Sequence, residues 1–70
     1  MKTYPRLRGR IVEKYGTQGN FAKALGKSEQ TIIAKLKGKS AFSQDDIVQW
    51  SNVLGISKDE VGNFFFEEKL

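Results

Sequence analysis

This chain contains few side chains that could perform catalysis. It has no Cys and no His, so it lacks the commonest metal ligands, the commonest general base and any disulfide. Two pairs of acids are adjacent, Asp45 with Asp46 and Glu67 with Glu68. Neighbouring residues on a helix point about 100° apart, so neither pair can share a proton or a metal ion. We therefore expect no catalytic site, no metal site and no cofactor, and we expect that the protein is not an enzyme.

The remaining polar side chains are suited to binding a polyanion. The net charge is +4 over 70 residues, but it is distributed unevenly. Residues 1–42 contain ten Lys and Arg and two acids, whereas residues 43–70 contain two Lys and six acids. This asymmetry predicts one face for a polyanion and one face turned away from it. The alternative is chance clustering on an ordinary solvated surface.

Length and hydropathy limit the class of protein. Seventy residues are near the lower limit for a self-supporting core, so we treat residues 1–70 as a single domain. No apolar run approaches the roughly 20 residues that cross a membrane, and the first ten residues contain no apolar segment typical of a signal peptide. Together with the absence of Cys, this predicts a cytoplasmic location.

Two short helices joined by a sharp turn are predicted in the basic half of the chain. The first covers about Gln18–Leu25 and ends at Gly26, which can adopt the left-handed conformation at low cost. The second follows the cap residue Ser28 and runs to about Lys37. The residues expected to face inward are Phe21, Ala22, Leu25, Ile32 and Leu36.

This layout is that of a helix-turn-helix, whose second helix enters the DNA major groove. The residues that carry it are Gln18-x-x-Phe21-Ala22-x-x-Leu25-Gly26-x-Ser28-x-x-Thr31-Ile32. The string resembles the phage Cro/CI-type (XRE-like) helix-turn-helix family, in particular its small single-domain Cro-like regulators. The resemblance covers about a third of the chain. It implies an all-α fold of five helices, a lambda-repressor-like DNA-binding domain.

The resemblance also implies a function. A protein of this kind binds double-stranded DNA sequence-specifically and regulates transcription, here as a phage or prophage repressor. A homodimer would bind a palindromic operator with half-sites about one helical turn apart. The protein would lie in the cytoplasm of a bacterial cell or phage-infected host, on the nucleoid when bound to DNA. No membrane partner and no small-molecule ligand is expected.

One departure from the family pattern concerns a buried ion pair. Many members pair a Glu near the end of the second motif helix with an Arg of the first helix of the domain. The matching residues here are Leu36 and Ile11, which are both apolar. A buried ion pair can be replaced by a hydrophobic contact at little cost. We predict that Ile11 packs against Leu36 and that the salt bridge is missing.

Base-reading side chains are expected on the outward face of the second motif helix and at its beginning, the end that enters the groove. Gln30 can pair with adenine N6 and N7, and Glu29 can accept a hydrogen bond from cytosine N4. The alternative for Glu29 is a favourable interaction with the helix dipole. Ile33 could contact a thymine methyl group, or it could be tucked against the fourth helix. The expected base-reading residues are Ser28, Glu29, Gln30, Ile33 and Ala34.

Phosphate contacts are expected at both ends of the motif. Gln18 begins the first motif helix, where free N–H groups and the positive end of the dipole favour an anion. Gln18 and Asn20 could also be ordinary exposed first-turn residues. Three Lys fall within residues 35–39 without an acid between them, and the resemblance implies phosphate contacts there. The expected phosphate-binding residues are Gln18, Asn20, Lys27, Thr31, Lys35, Lys37, Lys39 and Ser40.

A helix is predicted before the motif, and two are predicted after it. The first runs from Pro5 to Tyr15, with Tyr4, Leu7, Ile11, Val12 and Tyr15 on its apolar face. Its basic face, formed by Arg6, Arg8, Arg10 and Lys14, could contact phosphates or could simply be solvated. The fourth helix begins after a capping box of Ser43 and Asp46, with Ile47, Val48, Trp50, Val53 and Leu54 on its apolar face. The fifth covers about 58–66.

Three consecutive aromatic residues, Phe64, Phe65 and Phe66, lie in the predicted fifth helix. They cannot all face one core, and clustered exposed aromatics often mark an interface. We predict a homodimer interface at this segment; the alternative is that the phenylalanines close a small core. The cluster also supports the main alternative function, a protein-binding helical module of antirepressor or antitoxin type. Non-specific coating of nucleic acid is a third possibility.

Overall fold

The fold is all-α, as predicted, and residues 4–66 contain five α-helices. The structure is a computed structural model, and the residues it describes are 4–66. The helices are α1 (Pro5–Tyr15), α2 (Gln18–Leu25), α3 (Glu29–Leu36), α4 (Gln44–Leu54) and α5 (Val61–Phe65), with a 3-10 turn (Lys58–Glu60) directly before α5. No strand occurs within residues 4–66.

Local capping explains where the helices of the motif begin. Thr17 Oγ1 accepts a hydrogen bond of 3.1 Å from the Asn20 amide at the start of α2. Ser28 Oγ accepts one of 3.2 Å from the Thr31 amide at the start of α3. These hydroxyls satisfy N–H groups that have no partner within the helix. Gly26 has a φ of 74°, which suits the left-handed end of α2.

The five helices enclose one hydrophobic core centred on Trp50. Its ring centroid lies 4.9 Å from that of Phe21 and 4.8 Å from that of Phe42, both edge-to-face. Such perpendicular ring pairs are electrostatically favourable, so the aromatic residues lock α2, α4 and the loop between α3 and α4 together. The buried apolar residues are Leu7, Ile11, Phe21, Ala22, Ile32, Leu36, Trp50, Leu54, Ile56, Phe64 and Phe65.

Ile11 and Leu36, the residues that were predicted to replace an ion pair, are both buried. Ile11 is 0% exposed and Leu36 is 1% exposed, and both belong to the same core cluster. No ion pair is possible at these positions. A different polar link joins the same helices, because Arg8 on α1 donates a hydrogen bond of 3.1 Å from Nη2 to the backbone oxygen of Leu36.

Three predictions about the flanking helices were wrong in detail. Val12 is 59% exposed and Val48 is 54% exposed, although both were assigned to apolar faces. Each of these valines directly follows a residue that packs in or against the core, Ile11 or Ile47, and consecutive residues of a helix point about 100° apart. The fifth helix is also shorter than predicted. Its first turn, Lys58–Glu60, is a 3-10 turn closed by a 3.0 Å bond from the Glu60 amide to the Ser57 oxygen.

Within residues 4–66, no helix combines the length and apolar character needed to cross a membrane. The same residues contain no cluster of three or more acidic, His or Cys side chains arranged to hold a metal ion.

Candidate nucleic-acid interface

The two helices of the motif pack directly on each other and turn over three residues, 26–28. Phe21 and Ala22 of α2 and Ile32 and Leu36 of α3 are buried at or near this contact. Ala22, at 2% exposure, has the small side chain that lets two helices cross closely. Burial of Ile32 and Leu36 turns the opposite side of α3 outward, which fixes the orientation of the candidate reading face.

Of the five residues predicted to read bases, Gln30, Ile33 and Ala34 lie on that outward side. Ser28 and Glu29 lie at the start of the helix. Ser28, Glu29 and Gln30 are exposed, and Ile33 and Ala34 are half-buried. Gln30 makes no side-chain hydrogen bond within residues 4–66, so its amide is available to a ligand. Ser28 Oγ is already engaged, because it caps α3 and lies 2.9 Å from Thr31 Oγ1.

Ile33 was left between two interpretations. It is half-buried, yet it lies outside the core cluster and outside the set of partly buried apolar residues that pack against that cluster. Ile33 is therefore not part of the hydrophobic core. Its position on the outward side of α3 leaves the thymine-methyl interpretation available.

The lysines predicted to bind phosphate fall into two groups. Lys27, Lys37 and Lys39 are exposed and have no ion pair in the described part of the chain. Lys35 instead turns toward α4, where its Nζ lies 2.8 Å from Asp46 Oδ2 and 3.0 Å from the backbone oxygen of Ala41. The ammonium of Lys35 is thus engaged within the protein, whereas the other three remain available.

The environment of Asp46 shows how tightly this lysine is held. Burial by itself raises the pKa of the Asp46 carboxyl, but hydrogen bonds from Lys35 and from Ser43 outweigh it, so the pKa lies below its ordinary value. The Ser43 amide donates to Asp46 Oδ2 at 2.8 Å, and the Asp46 amide donates to Ser43 Oγ at 3.0 Å. The capping box of α4 and the ion pair from α3 therefore share one carboxylate.

The basic face of α1 was left open between phosphate contact and solvation, and two of its arginines have a third role. Arg10 Nη1 donates to the backbone oxygens of Leu54 at 2.8 Å and Gly55 at 3.3 Å, at the end of α4. Arg8 binds the end of α3 in the same way. Cations at helix C-termini satisfy free carbonyl groups and complement the dipole. Arg8 and Arg10 lie directly beside the buried residues of α1 in the sequence. This position next to the buried stripe is the sequence signal that could have indicated their role.

The first turn of α2 is where a phosphate was expected. Gln18 is half-buried, and Asn20 is exposed with its Nδ2 donating to the Tyr15 oxygen at 3.0 Å. The carboxylate of Glu29 lies against this turn. A methyl group built on Gly19 would be 3.4 Å from Glu29 Oε1 and 3.8 Å from Oε2. The sequence analysis did not foresee this proximity of α3 to the start of α2.

The Phe cluster divides between core and surface. Phe64 and Phe65 are buried, and only Phe66, at 54% exposure, faces solvent. Phe64 lies under Arg10, whose Cζ is 5.0 Å from the ring centroid, and Phe65 packs 5.2 Å from Phe42. The predicted interface of three phenylalanines is therefore wrong for two of them, because α5 packs on α1 and α4.

Ser40, the last of the predicted phosphate contacts, is exposed in the loop after α3.

Comparison with known proteins adds a family but no activity. No curated protein matches the chain. One family profile, described as "Protein of unknown function (DUF739)", matches residues 2–68. Because that match spans nearly the whole sequence, the chain belongs to the DUF739 family.

Proposed function

We propose that this protein binds double-stranded DNA at specific sequences, inserts α3 into the major groove and regulates transcription. The observation that carries the proposal is the outward side of α3. It presents the exposed, hydrogen-bond-capable Gln30 next to the half-buried Ile33 and Ala34, on a helix held from behind by α2. The exposed Glu29 lies at the start of the same helix. A major groove admits one α-helix, and base edges are read by such polar and small apolar side chains.

In this proposal Gln30 is the principal base-reading residue. Its amide can donate to adenine N7 and accept from N6 at the same time, which distinguishes adenine from the other bases. Ile33 supplies an apolar contact for a thymine methyl group, and Ala34 leaves room for the helix to approach. Each of these side chains is accessible without any movement of the core.

Exposed lysines on either side of the reading face would hold the DNA backbone. Lys27 lies in the turn before α3, and Lys37 and Lys39 follow it. Contacts with phosphates orient the protein and supply affinity that depends on salt, but they carry no sequence information. Lys35 is not part of this set in our proposal, because its ammonium is paired with Asp46. The first turn of α2 would meet a phosphate on the opposite side of the groove.

We further propose that the protein is a repressor of the phage Cro/CI type that acts as a homodimer on a palindromic operator in the bacterial cytoplasm. The support is the resemblance of residues 18–32 to that family and the exposed Phe66, which is available to a second copy. The region of the chain that follows residue 42 carries most of the acids, so it would face away from the DNA.

The test is selection from a random duplex library by the purified 70-residue protein at about physiological salt, followed by sequencing of the bound pool. Enrichment of a palindrome supports the proposal, and its half-site spacing reports the dimer geometry. Retention of DNA without enrichment would replace the proposal by non-specific coating. A protein that retains no duplex would contradict DNA binding altogether.

The alternative is a protein-binding helical module, of antirepressor or antitoxin type, and exposed Phe66 is the observation that favours it. A single exposed aromatic at the end of a small domain can anchor a partner protein. This alternative predicts that partner binding depends on Phe66 and is indifferent to Gln30 and Lys37. The proposed DNA-binding function predicts the reverse dependence on Gln30 and Lys37.

A further inference from the structure

We infer that Glu29 determines specificity by exclusion: its carboxylate weakens binding to DNA that offers no hydrogen-bond donor at the base it faces. Every base pair carries one amino group in the major groove, on cytosine N4 or on adenine N6, so the inference concerns its strand. At the base pair next to the start of α3, the operator would have cytosine or adenine on the strand that Glu29 faces. The inference rests on the proposed function and adds to it the chemical feature that the preferred DNA must carry.

The charge pattern singles out Glu29. Residues 1–42 contain two acids, Glu13 and Glu29, among ten Lys and Arg. Glu13 is neutralised locally, because its Oε1 lies 3.5 Å from Arg10 Nε. Glu29 is exposed and has neither an ion pair nor a side-chain hydrogen bond within residues 4–66. Glu29 is therefore a negative charge without a cationic side-chain partner within residues 4–66, on the surface that would meet a polyanion.

Its position in the free protein has a physical reason. The Glu29 carboxylate lies beside Gly19, close enough that a methyl group there would touch it at 3.4 Å. Gly19 belongs to the first turn of α2, where free N–H groups and the helix dipole attract an anion. A methyl group at residue 19 would be in ordinary van der Waals contact with the carboxylate, so the carboxylate lies directly against the start of α2.

A phosphate bound at the first turn of α2 would compete with this carboxylate. Two anions at one helix end repel each other, so DNA binding requires Glu29 to turn away into the groove. In the groove, the Glu29 carboxylate is stabilised only if a base donates a hydrogen bond to it. Cytosine N4 and adenine N6 donate, whereas guanine O6 and N7 and thymine O4 are acceptors that repel a carboxylate. DNA with guanine or thymine on the strand that Glu29 faces therefore leaves the charge beside a phosphate and without a partner.

The experiment compares the wild-type protein with Glu29→Gln, which keeps the shape of the side chain and removes its charge. Affinities are measured at one fixed salt concentration for the selected operator, for operators changed at one base pair at a time, and for a random duplex. We expect Glu29→Gln to bind the random duplex about threefold to tenfold more tightly, the size of one charge repulsion across water. We also expect discrimination at one base pair to fall by about fivefold or more.

Glu13→Gln is the matched control. It removes the same charge from the basic half of the chain, but at a residue on α1 that already pairs with Arg10. It should raise affinity for all duplexes by a similar small factor and leave the discrimination between bases unchanged. If Glu29→Gln also raised affinity for all duplexes and left the discrimination between bases unchanged, net charge alone would explain its effect. The inference would then be overturned.

The inference and the proposed function fail in different ways. Wild-type protein that selects no operator contradicts the proposed function, and the inference falls with it. An operator that is selected by the wild type and read identically by Glu29→Gln overturns the inference alone. A measurement without DNA tests its structural premise: in NMR spectra, Glu29→Gln should shift the Gly19 amide resonance far more than that of Gly62, and equal small shifts would contradict it.

Discussion

Lys35 Nζ lies 2.8 Å from Asp46 Oδ2, and this ion pair joins the candidate reading helix α3 to the start of α4. Both side chains are largely buried, with 14% and 15% of their surface exposed. The same carboxylate oxygen accepts the hydrogen bond from the Ser43 amide. One carboxylate therefore both caps α4 and holds the last turn of α3, which makes Lys35 a residue that positions the helix.

Replacing Lys35 should therefore affect folding, whereas replacing Lys37 should affect DNA binding. We expect Lys35→Met to lower the free energy of unfolding by about 1–3 kcal/mol, because a charged hydrogen bond is lost and Asp46 is left without its cation. Lys37→Met, at an exposed residue, should change it by less than about 0.5 kcal/mol. Urea unfolding of the two variants measures both values.

The salt dependence of DNA binding separates the two lysines a second time. Each phosphate neutralised contributes about 0.9 to the slope of log affinity against log salt. Lys37→Met should reduce this slope by about that amount, and Lys35→Met should leave it unchanged. A slope that Lys35→Met reduces as much as Lys37→Met does would show that Lys35 leaves Asp46 to bind DNA.

The lowered pKa of Asp46 predicts that part of the stability is lost in acid. A carboxyl whose pKa is lower in the folded protein than the ordinary 3.8 is protonated more readily in the unfolded chain. Its contribution is therefore fully present above that ordinary pKa and disappears as the pH falls through the folded value. We expect the stability difference between wild type and Asp46→Asn to be constant above about pH 5 and to shrink below about pH 4.

Chemical unfolding from pH 2 to pH 7 measures this difference. Asp45→Asn is the control, because it removes a neighbouring carboxylate of α4 that has no ion pair within residues 4–66. It corrects for the change in net charge. A difference between wild type and Asp46→Asn that persists undiminished at pH 2 would mean that the carboxylate charge does not stabilise the fold.

Two serines of α4 and its cap should respond to substitution in opposite directions. Ser51 Oγ is buried and has no hydrogen-bond partner within residues 4–66. Removing an unsatisfied buried hydroxyl by Ser51→Ala should raise the free energy of unfolding by about 1 kcal/mol. Ser43→Ala removes the cap of α4 and should lower it by about 1 kcal/mol. Thermal unfolding would show the two melting temperatures on either side of the wild type, and a destabilised Ser51→Ala would contradict the assignment.

Gln30→Ala tests the orientation of α3 in the groove. Loss of a side chain that makes two hydrogen bonds to one base should cost about 1–3 kcal/mol of discrimination at that base pair only. Gln49→Ala is the matched control, since Gln49 is also an exposed glutamine but lies on α4. Selection of binding sites with both variants measures the outcome. An unchanged site for Gln30→Ala would mean that another face of α3 reads the DNA.

Within the Phe cluster, we expect Phe65 to affect folding stability and Phe66 to affect self-association. Phe65→Leu should destabilise the protein by about 1–2 kcal/mol, because Phe65 is packed in the core. Phe66→Ser should leave the stability within about 0.5 kcal/mol but shift the protein toward monomer in sedimentation velocity. If Phe66→Ser leaves the sedimentation coefficient unchanged at all concentrations, the dimer does not form through Phe66.

The sequence by itself determined where the helices of the motif lie. Thr17, Ser28 and Gly26 act on the backbone within a few residues of their own position, so cap and stop signals could be read without knowledge of the fold. The same local logic identified the capping box at Ser43. It also separated the buried residues of α3 from its outward side, because helical spacing is a property of the chain itself.

Only the tertiary structure decided which charged side chains are available to a ligand. Lys35 and Lys37 look alike in the sequence, yet one is paired with Asp46 and the other is exposed. Arg10 reaches the end of α4, 44 residues further along the chain. Such partners depend on how the helices are placed relative to one another, and that placement arises from packing of the whole core rather than from neighbouring residues.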